Sequence, residues 1–178
     1  MSLQTNVDTF INWIKRSGLD VKPHQLSGIR WCLSREHNNK PLHLTSTSHF
    51  DIDDTNKGEY IPPIAGGILG DEMGLGKTIL MIGAIIANPK KSTLIVLPNC
   101  LVKQWTNVLN KLLTDDFPIP LVYHGSKVKS PTILKQIENN PIVITTYGMI
   151  SCRKSKMVKK KINHYKCPLW NFEWDRII

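Results

Sequence analysis

The chain has 178 residues, the size of one domain at ~100–200 residues each. With 41% hydrophobic and 21% charged residues it has ordinary globular usage, which excludes a collagen, a coiled coil and a wholly disordered chain. The formal charge is +9, from 23 basic against 14 acidic residues, a hint of a polyanionic partner whose weight depends on where the charges lie.

Val7, Phe10, Ile11 and Ile14 recur at helical spacing, and Gly18 is placed to stop that helix. The opening MSLQTNVDTF lacks the basic flank and apolar stretch of a secretion signal, so a reducing, intracellular setting is expected. A second helix is predicted from Pro23, a good first-turn residue, with Leu26, Ile29 and Leu33 on one face. Trp31 sits on the same helix and is expected to pack. From His37 to Pro63 the chain is rich in Asn, Thr, Ser, Asp and His and closes on Pro62-Pro63, which reads as an exposed insertion.

From Gly66 onward short apolar segments alternate with helical ones. Gly67–Leu69 is predicted as a strand entering a glycine turn, and Lys77–Ala87 as a strongly apolar helix. The run Ile79–Ala87 is the longest apolar stretch and falls far short of the ~20 residues of a membrane span, so no transmembrane helix and no membrane partner is expected. Thr93–Leu97 (TLIVL) is a buried strand, followed by a helix carrying Leu101, Trp105, Val108, Leu109 and Leu112, in which Trp105 is a core residue. A third strand at Leu121–Tyr123, a helix near Thr132–Glu138, a strand at Ile142–Thr146 (IVITT) and a strand-like Arg176–Ile178 complete the pattern. β-branched strands alternating with helices predict an α/β fold with a parallel sheet, whose ligands sit at the carboxyl ends of the strands.

The charge excess is local. Arg153, Lys154, Lys156, Lys159, Lys160, Lys161 and Lys166 fall within fourteen positions with no acid among them; the rest of the chain has 16 basic against 14 acidic residues. This run is either a solvated loop or a patch for nucleic-acid phosphates. Of the four cysteines, Cys32, Cys100, Cys152 and Cys167, none forms a C-x-x-C pair. Cys152, His164 and Cys167 make the best metal set, but it lacks a fourth ligand and has irregular spacing, so incidental thiols are expected.

The strongest chemical signal is GGILGDEMGLGKT, Gly66 to Thr78. Gly74 and Gly76 let the backbone curl and present N–H groups to phosphate oxygens. A helix starting near Lys77 adds its free N–H groups and positive end. Lys77 is expected to reach the β- and γ-phosphates of ATP, and the Thr78 hydroxyl to ligate Mg²⁺. The general pattern G-x-x-x-x-G-K-[ST] asks for glycine at position 71, where this chain has Asp71.

GDEMGLGKT, with its leading Asp71, resembles motif I of the SWI/SNF-type helicase-like ATPases of superfamily 2, in which an acidic residue at that position is usual. The resemblance continues in family order. KPHQLSGIRWCLSRE (Lys22–Glu36) resembles the segment carrying an adenine-reading glutamine, here Gln25. TLIVLPNCLVKQW (Thr93–Trp105) resembles motif Ia, VYHGS (Val122–Ser126) the strand and turn after it, IVITTYGMI (Ile142–Ile150) motif Ib, and WDRII (Trp174–Ile178) the approach to motif II. The subgroup it looks closest to contains helicase-like transcription factor and transcription termination factor relatives. One departure is Val108, where family members often have glutamate.

The resemblance implies a RecA-like P-loop NTPase lobe, with an adenine-recognition segment at 1–36, an insertion at 37–65 and the ATP-binding lobe at 66–178. It places motif II almost immediately after Ile178 and the arginine finger in a second lobe. The chain then reads as the N-terminal part of a longer ATP hydrolase, truncated before motif II and hydrolytically inactive by itself. For the parent it implies a DNA-dependent, helicase-like ATPase that translocates on double-stranded DNA and remodels DNA-bound proteins or nucleosomes, nuclear if the source is eukaryotic. Gln25, Asp71, Gly74, Gly76, Lys77 and Thr78 would hold ATP and Mg²⁺. Pro98, Asn99, Thr145, Thr146 and Tyr147 would touch the DNA backbone, joined by Lys159, Lys160 and Lys161 if the basic run binds. Taken singly, Gln25 reads as a polar face residue of a helix and Thr145–Tyr147 as the end of a buried strand; motif order changes both readings. Two rivals stand beside this one: a non-catalytic basic nucleic-acid-binding module, and a P-loop enzyme of another class such as a small-molecule kinase.

Overall fold

The stripe Val7, Phe10 and Ile14 becomes the buried face of α1 (Leu3–Arg16). Ser2 caps it, its Oγ accepting the Thr5 N–H at 3.2 Å, and Lys15 and Arg16 in the last turn suit the negative end of the helix. Gly18 follows at φ +69°, the left-handed conformation that ends helices cheaply only in glycine. The computed structural model describes residues 2–37, 66–113, 117–125, 132–151, 153–154, 164–165 and 167–178. The predicted insertion, apart from His37, and Lys159, Lys160 and Lys161 lie outside the described residues. The chain divides into two units, Met1–Asn88 and Pro89–Ile178.

In the first unit α2 (Pro23–His37) starts with proline at its first position, and α3 (Lys77–Ala87) buries Leu80 and every residue from Ile82 to Ala87. A helix apolar on most sides must be enclosed, and α1 and α2 both pack on α3. Two missing side chains permit the close approach. A Cβ on Gly83 would overlap the Phe10 ring and lie 3.0 Å from Trp13, and one on Gly28 would lie 2.5 Å from Leu80 Cδ1.

Asn6, on the buried face of α1, is 0% exposed, and neither atom of its amide has a hydrogen-bond partner among the described residues. Burying an unpaired amide costs about 1–3 kcal/mol. Asn6→Leu, similar in shape and apolar, is expected to raise stability by about 1–2 kcal/mol. A thermal melt should then shift up by about 2–8 °C; an unchanged or lowered Tm would show that the amide is satisfied in solution.

The strand expected at Gly67–Leu69 does not form. Residues 66–72 run without a ladder, and Ile68 is almost fully exposed. Their anchor is α2 instead of a neighbouring strand. Arg35 Nε donates to the Gly66 carbonyl at 2.9 Å, and Gly67 lies so close to Trp31 that a Cβ would be 2.7 Å from its Cζ2. Trp31 packs through that contact while 41% of its surface stays exposed, so the expectation of packing holds for one side of the ring.

The second unit is an α/β layer around a four-stranded parallel sheet of β1 (Thr93–Leu97), β2 (Leu121–Val122), β3 (Ile142–Thr146) and β6 (Arg176–Ile177). Their order in the sheet is β2-β3-β1-β6. Every residue of β3 is buried, as expected for a strand flanked on both sides. β1 and β3 run in register from Thr93↔Ile142 to Leu97↔Thr146. α4 (Asn99–Leu112) buries Trp105 and Leu109, the core role expected of Trp105. α5 (Ile133–Glu138) sends Ile133 and Ile137 into a core shared with Leu94, Tyr123, Val143, Cys167 and Leu169. Leu121–Tyr123 shortens to two strand residues, although the Tyr123 N–H still reaches the Ile144 carbonyl at 2.8 Å.

Four elements were not predicted: the single turn α6 (Tyr147–Ile150), the antiparallel strands β4 (Arg153–Lys154) and β5 (His164–Tyr165), and a 3-10 turn at Pro168–Asn171. β6 is fixed by a side-chain latch as well as its ladder. The Ser92 N–H donates to Asp175 Oδ2 at 3.0 Å, and the Asp175 N–H donates to Ser92 Oγ at 3.0 Å.

Candidate nucleotide and nucleic-acid sites

In the first unit the glycine loop turns into α3 through two residues with left-handed backbone, Gly74 at φ +87° and Gly76 at φ +81°. Gly76 is the N-cap, and the Leu80 N–H bonds to its carbonyl at 3.0 Å, so α3 opens immediately after the loop. The first N–H groups of a helix have no intrahelical partner, and they face the loop side. The Lys77 ammonium donates to the carbonyls of Asp71 at 2.6 Å and Glu72 at 2.8 Å, which folds the long side chain back across the loop. Thr78 is half-buried in the first turn of α3.

Gln25 is 6% exposed and lies against this loop: its Nε2 is 2.7 Å from the place a Cβ on Gly76 would take. His24 Nε2 lies 3.1 Å from the Leu75 carbonyl oxygen. Beside them is a cavity of about 340 Å³ with Leu19, Leu75 and Ile79 as apolar walls and Asp20, Lys22 and Gln25 as polar groups. That is within the usual size of small-molecule sites, and a slot of mixed character suits a flat heterocycle with a polar edge. Curled backbone, a helix N-terminus, an ammonium and a base-sized slot together fit a nucleoside triphosphate.

Among the described residues no group of three His, Cys, Asp or Glu side chains is placed to hold a metal. Cys152 lies outside the described residues, and Cys167 is a buried member of the core.

In the second unit the carboxyl ends of adjacent strands β1 and β3 present Pro98, Asn99, Cys100 and Tyr147 to solvent, Tyr147 with 59% of its surface exposed. Pro98 caps α4, so that helix starts at this edge. The two threonines do not join them. Thr145 is fully buried and its hydroxyl donates to the Tyr123 carbonyl at 3.1 Å; Thr146 is 4% exposed, with its hydroxyl 3.5 Å from His124 Nδ1. Successive side chains of a strand face opposite sides, and both sides of β3 are covered, so both hydroxyls are buried here.

A family model, the SNF2-related domain, matches residues 24–178. The chain belongs to the SNF2-related family. The matched span of this SNF2-related domain begins at His24 and takes in Gln25, the glycine loop, the carboxyl edge of β1 and β3, and β6. Its α/β architecture with a parallel sheet is the one the sequence predicts.

Among curated relatives, an ATP-dependent helicase of Schizosaccharomyces pombe is 36% identical over 128 residues, covering 64% of this chain and 12% of its own length. The DNA repair protein RAD5 of Saccharomyces cerevisiae is 30% identical over 135 residues, 56% of this chain and 12% of its own. The DNA excision repair protein ERCC-6-like of Danio rerio is 34% identical over 122 residues, 64% of this chain and 8% of its own. The chain thus spans about an eighth or less of these relatives. Among the described residues no helix is long and apolar enough to cross a membrane.

Sequence reasoning missed the apolar walls Leu19 and Ile79 and the contact of His24 with Leu75. Leu19 follows the helix stop at Gly18 and carries no periodic signal. The His24 contact joins residues 51 positions apart, which spacing cannot reveal.

Proposed function

We propose that this SNF2-related domain is the ATP-binding part of a DNA-dependent ATPase that moves along double-stranded DNA. The observation that carries the reading is the convergence of Gln25, Gly74 and Gly76 on one cavity of the first unit, with Lys77 opening α3 directly after Gly76. Lys77 and the first N–H groups of α3 would neutralise the phosphate chain, and Thr78 would ligate Mg²⁺. Gln25, whose amide both donates and accepts, would pair with the donor–acceptor edge of adenine. Asp71 contributes its carbonyl to the seat of Lys77. Catalysis in such sites is mainly positioning and charge stabilisation around the γ-phosphate. The family resemblance assigns the acidic pair and the arginine finger to motifs that these 178 residues do not contain. By this reading the chain by itself binds nucleotide without appreciable turnover.

On the second unit, Pro98, Asn99, Tyr147 and the backbone N–H groups opening α4 would meet the phosphates of the duplex. Such contacts carry no sequence information and permit sliding. Thr145 and Thr146 would act from behind by fixing the strand end, and Lys159–Lys161, which lie outside the described residues, would add cations for the DNA phosphates. The organisation into an adenine-recognition segment at 1–36, an insertion at 37–65 and an ATP-binding lobe at 66–178 belongs to the same proposal. So do a nuclear location and targets among DNA-bound proteins or nucleosomes.

Titration of the chain with non-hydrolysable ATP and GTP analogues tests the base assignment. The wild type should prefer the ATP analogue, and Gln25→Ala should lose about tenfold in ATP affinity, near the ~1.5 kcal/mol of a good hydrogen bond, while GTP affinity stays constant. Equal affinity for both analogues in the wild type rejects Gln25 as an adenine reader.

A further inference from the structure

We propose that His24 is a positioning residue of the nucleotide site, whose bond to the Leu75 carbonyl aims the Gly76 N–H at the phosphate chain. The proposal rests on the ATP-binding reading above and adds to it a residue that touches neither base nor phosphate. His24 and Gln25 are neighbours in the first turn of α2, and both meet the glycine loop. Gln25, Gly74, Leu75 and Gly76 line the cavity, whereas His24 does not. The imidazole is exposed and holds the loop from outside the cavity, with Nε2 3.1 Å from the Leu75 carbonyl oxygen. A carbonyl only accepts, so Nε2 carries the proton in this bond.

The direction of that carbonyl matters because a trans peptide is planar. The C=O of residue 75 and the N–H of residue 76 point opposite ways. With the oxygen turned to His24, the Gly76 N–H points away from the imidazole, and among the described residues it has no acceptor. Local sterics fix the plane only weakly. Leu75 stands between Gly74 at φ +87° and Gly76 at φ +81°, and glycine takes positive and negative φ about equally well. A rotation of the 75–76 peptide would turn the carbonyl oxygen to where the N–H now points. A phosphate would then meet a partial negative charge in place of a donor.

The same pattern runs along the loop. Arg35 Nε holds the Gly66 carbonyl at 2.9 Å, and the Lys77 ammonium holds those of Asp71 and Glu72. Side-chain donors thus take up the carbonyl oxygens of Gly66, Asp71, Glu72 and Leu75. That leaves N–H groups for an anion, as a backbone nest requires. Of these carbonyls, that of Leu75 is nearest to the start of α3, where the helix offers its own free N–H groups.

The test compares a non-hydrolysable ATP analogue with adenosine on the full chain. His24→Phe keeps a flat ring and removes the donor, while His24→Gln keeps an N–H at similar reach. His24→Phe should weaken the ATP analogue about fivefold, the effect of one lost hydrogen bond, and leave adenosine binding unchanged. His24→Gln should bind both ligands as the wild type does. In amide NMR of the wild type, the Gly76 N–H resonance should move with the ATP analogue and remain in place with adenosine. Melting curves show that each variant is folded. Equal weakening of both ligands by His24→Phe would make His24 a mere support of the fold and overturn the proposal. Failure of His24→Gln to restore binding overturns it as well. If the wild type binds the analogue more tightly than adenosine and His24→Phe changes nothing, the positioning role alone falls. If the wild type binds the analogue no better than adenosine, or binds neither, the ATP-binding reading fails and takes the role of His24 with it.

Discussion

Lys77→Ala is expected to lower affinity for an ATP analogue by about two orders of magnitude without unfolding the chain. The ammonium is half-buried and already bonded to two loop carbonyls, so it is positioned before any ligand arrives. A hydrogen bond involving a charged group contributes about 1.5–3 kcal/mol, and a phosphate chain would receive at least one such bond from Lys77. The lost seat on the Asp71 and Glu72 carbonyls adds to the effect, since the loop would lose these two bonds and keep its contacts with Arg35 and His24. Lys77→Arg does not rescue, because a planar guanidinium places its donors differently from a compact ammonium. Anisotropy of a labelled ATP analogue, with circular dichroism as the folding control, reads the outcome. A Kd within threefold of the wild type would remove Lys77 from the binding set.

Phe10→Ala is expected to cost about 3–5 kcal/mol, a large share of the ~5–15 kcal/mol that a domain has in total. The ring is fully buried, its centroid is 5.9 Å from that of Trp13, and it occupies the space beside Gly83. Its removal leaves a void on the helix that carries Lys77 and Thr78. Nucleotide affinity should therefore fall together with stability, although Phe10 belongs to α1 and not to the loop. Gly83→Ala probes the same contact from the other side. Its Cβ overlaps the Phe10 ring, an overpacking cost of about 1–3 kcal/mol, partly offset by the ~1 kcal/mol that alanine gains over glycine within a helix. In Phe10→Ala/Gly83→Ala the new methyl enters vacated space, so the double variant should be more stable than the sum of the two singles predicts. Urea unfolding of the four proteins gives the coupling; simple additivity would show that the two positions do not share one space.

The elements readable from the sequence are those in which apolar pattern and burial agree. α3, β1 and β3 are continuous apolar runs, and α1 shows its stripe plainly; all four fall where the pattern puts them. The elements that were not readable owe their form to neighbours. α6 is one turn with Tyr147 and Gly148 exposed, and nothing in TYGMI marks it as helical. Residues 67–69 have strand composition, yet they lean on Trp31 and Arg35 of α2. At the sites, residue chemistry made the loop legible: glycines before Gly-Lys-Thr state their own backbone requirement. The orientation of Thr145 and Thr146 was not legible. Alternation assigns faces only when one face is wet, and β3 is dry throughout.

The closeness of Gln25 to Gly76 also bears on how nucleotide preference can change. The amide nitrogen occupies the space that any side chain at position 76 would need, at a backbone φ of +81° that already disfavours one. On the adenine-reading role proposed for Gln25, base choice and phosphate grip are thus fitted to each other on the loop side. Engineering this domain toward guanine would have to keep a bulkier substitute for Gln25 within the neighbouring cavity, since the side facing Gly76 has no room.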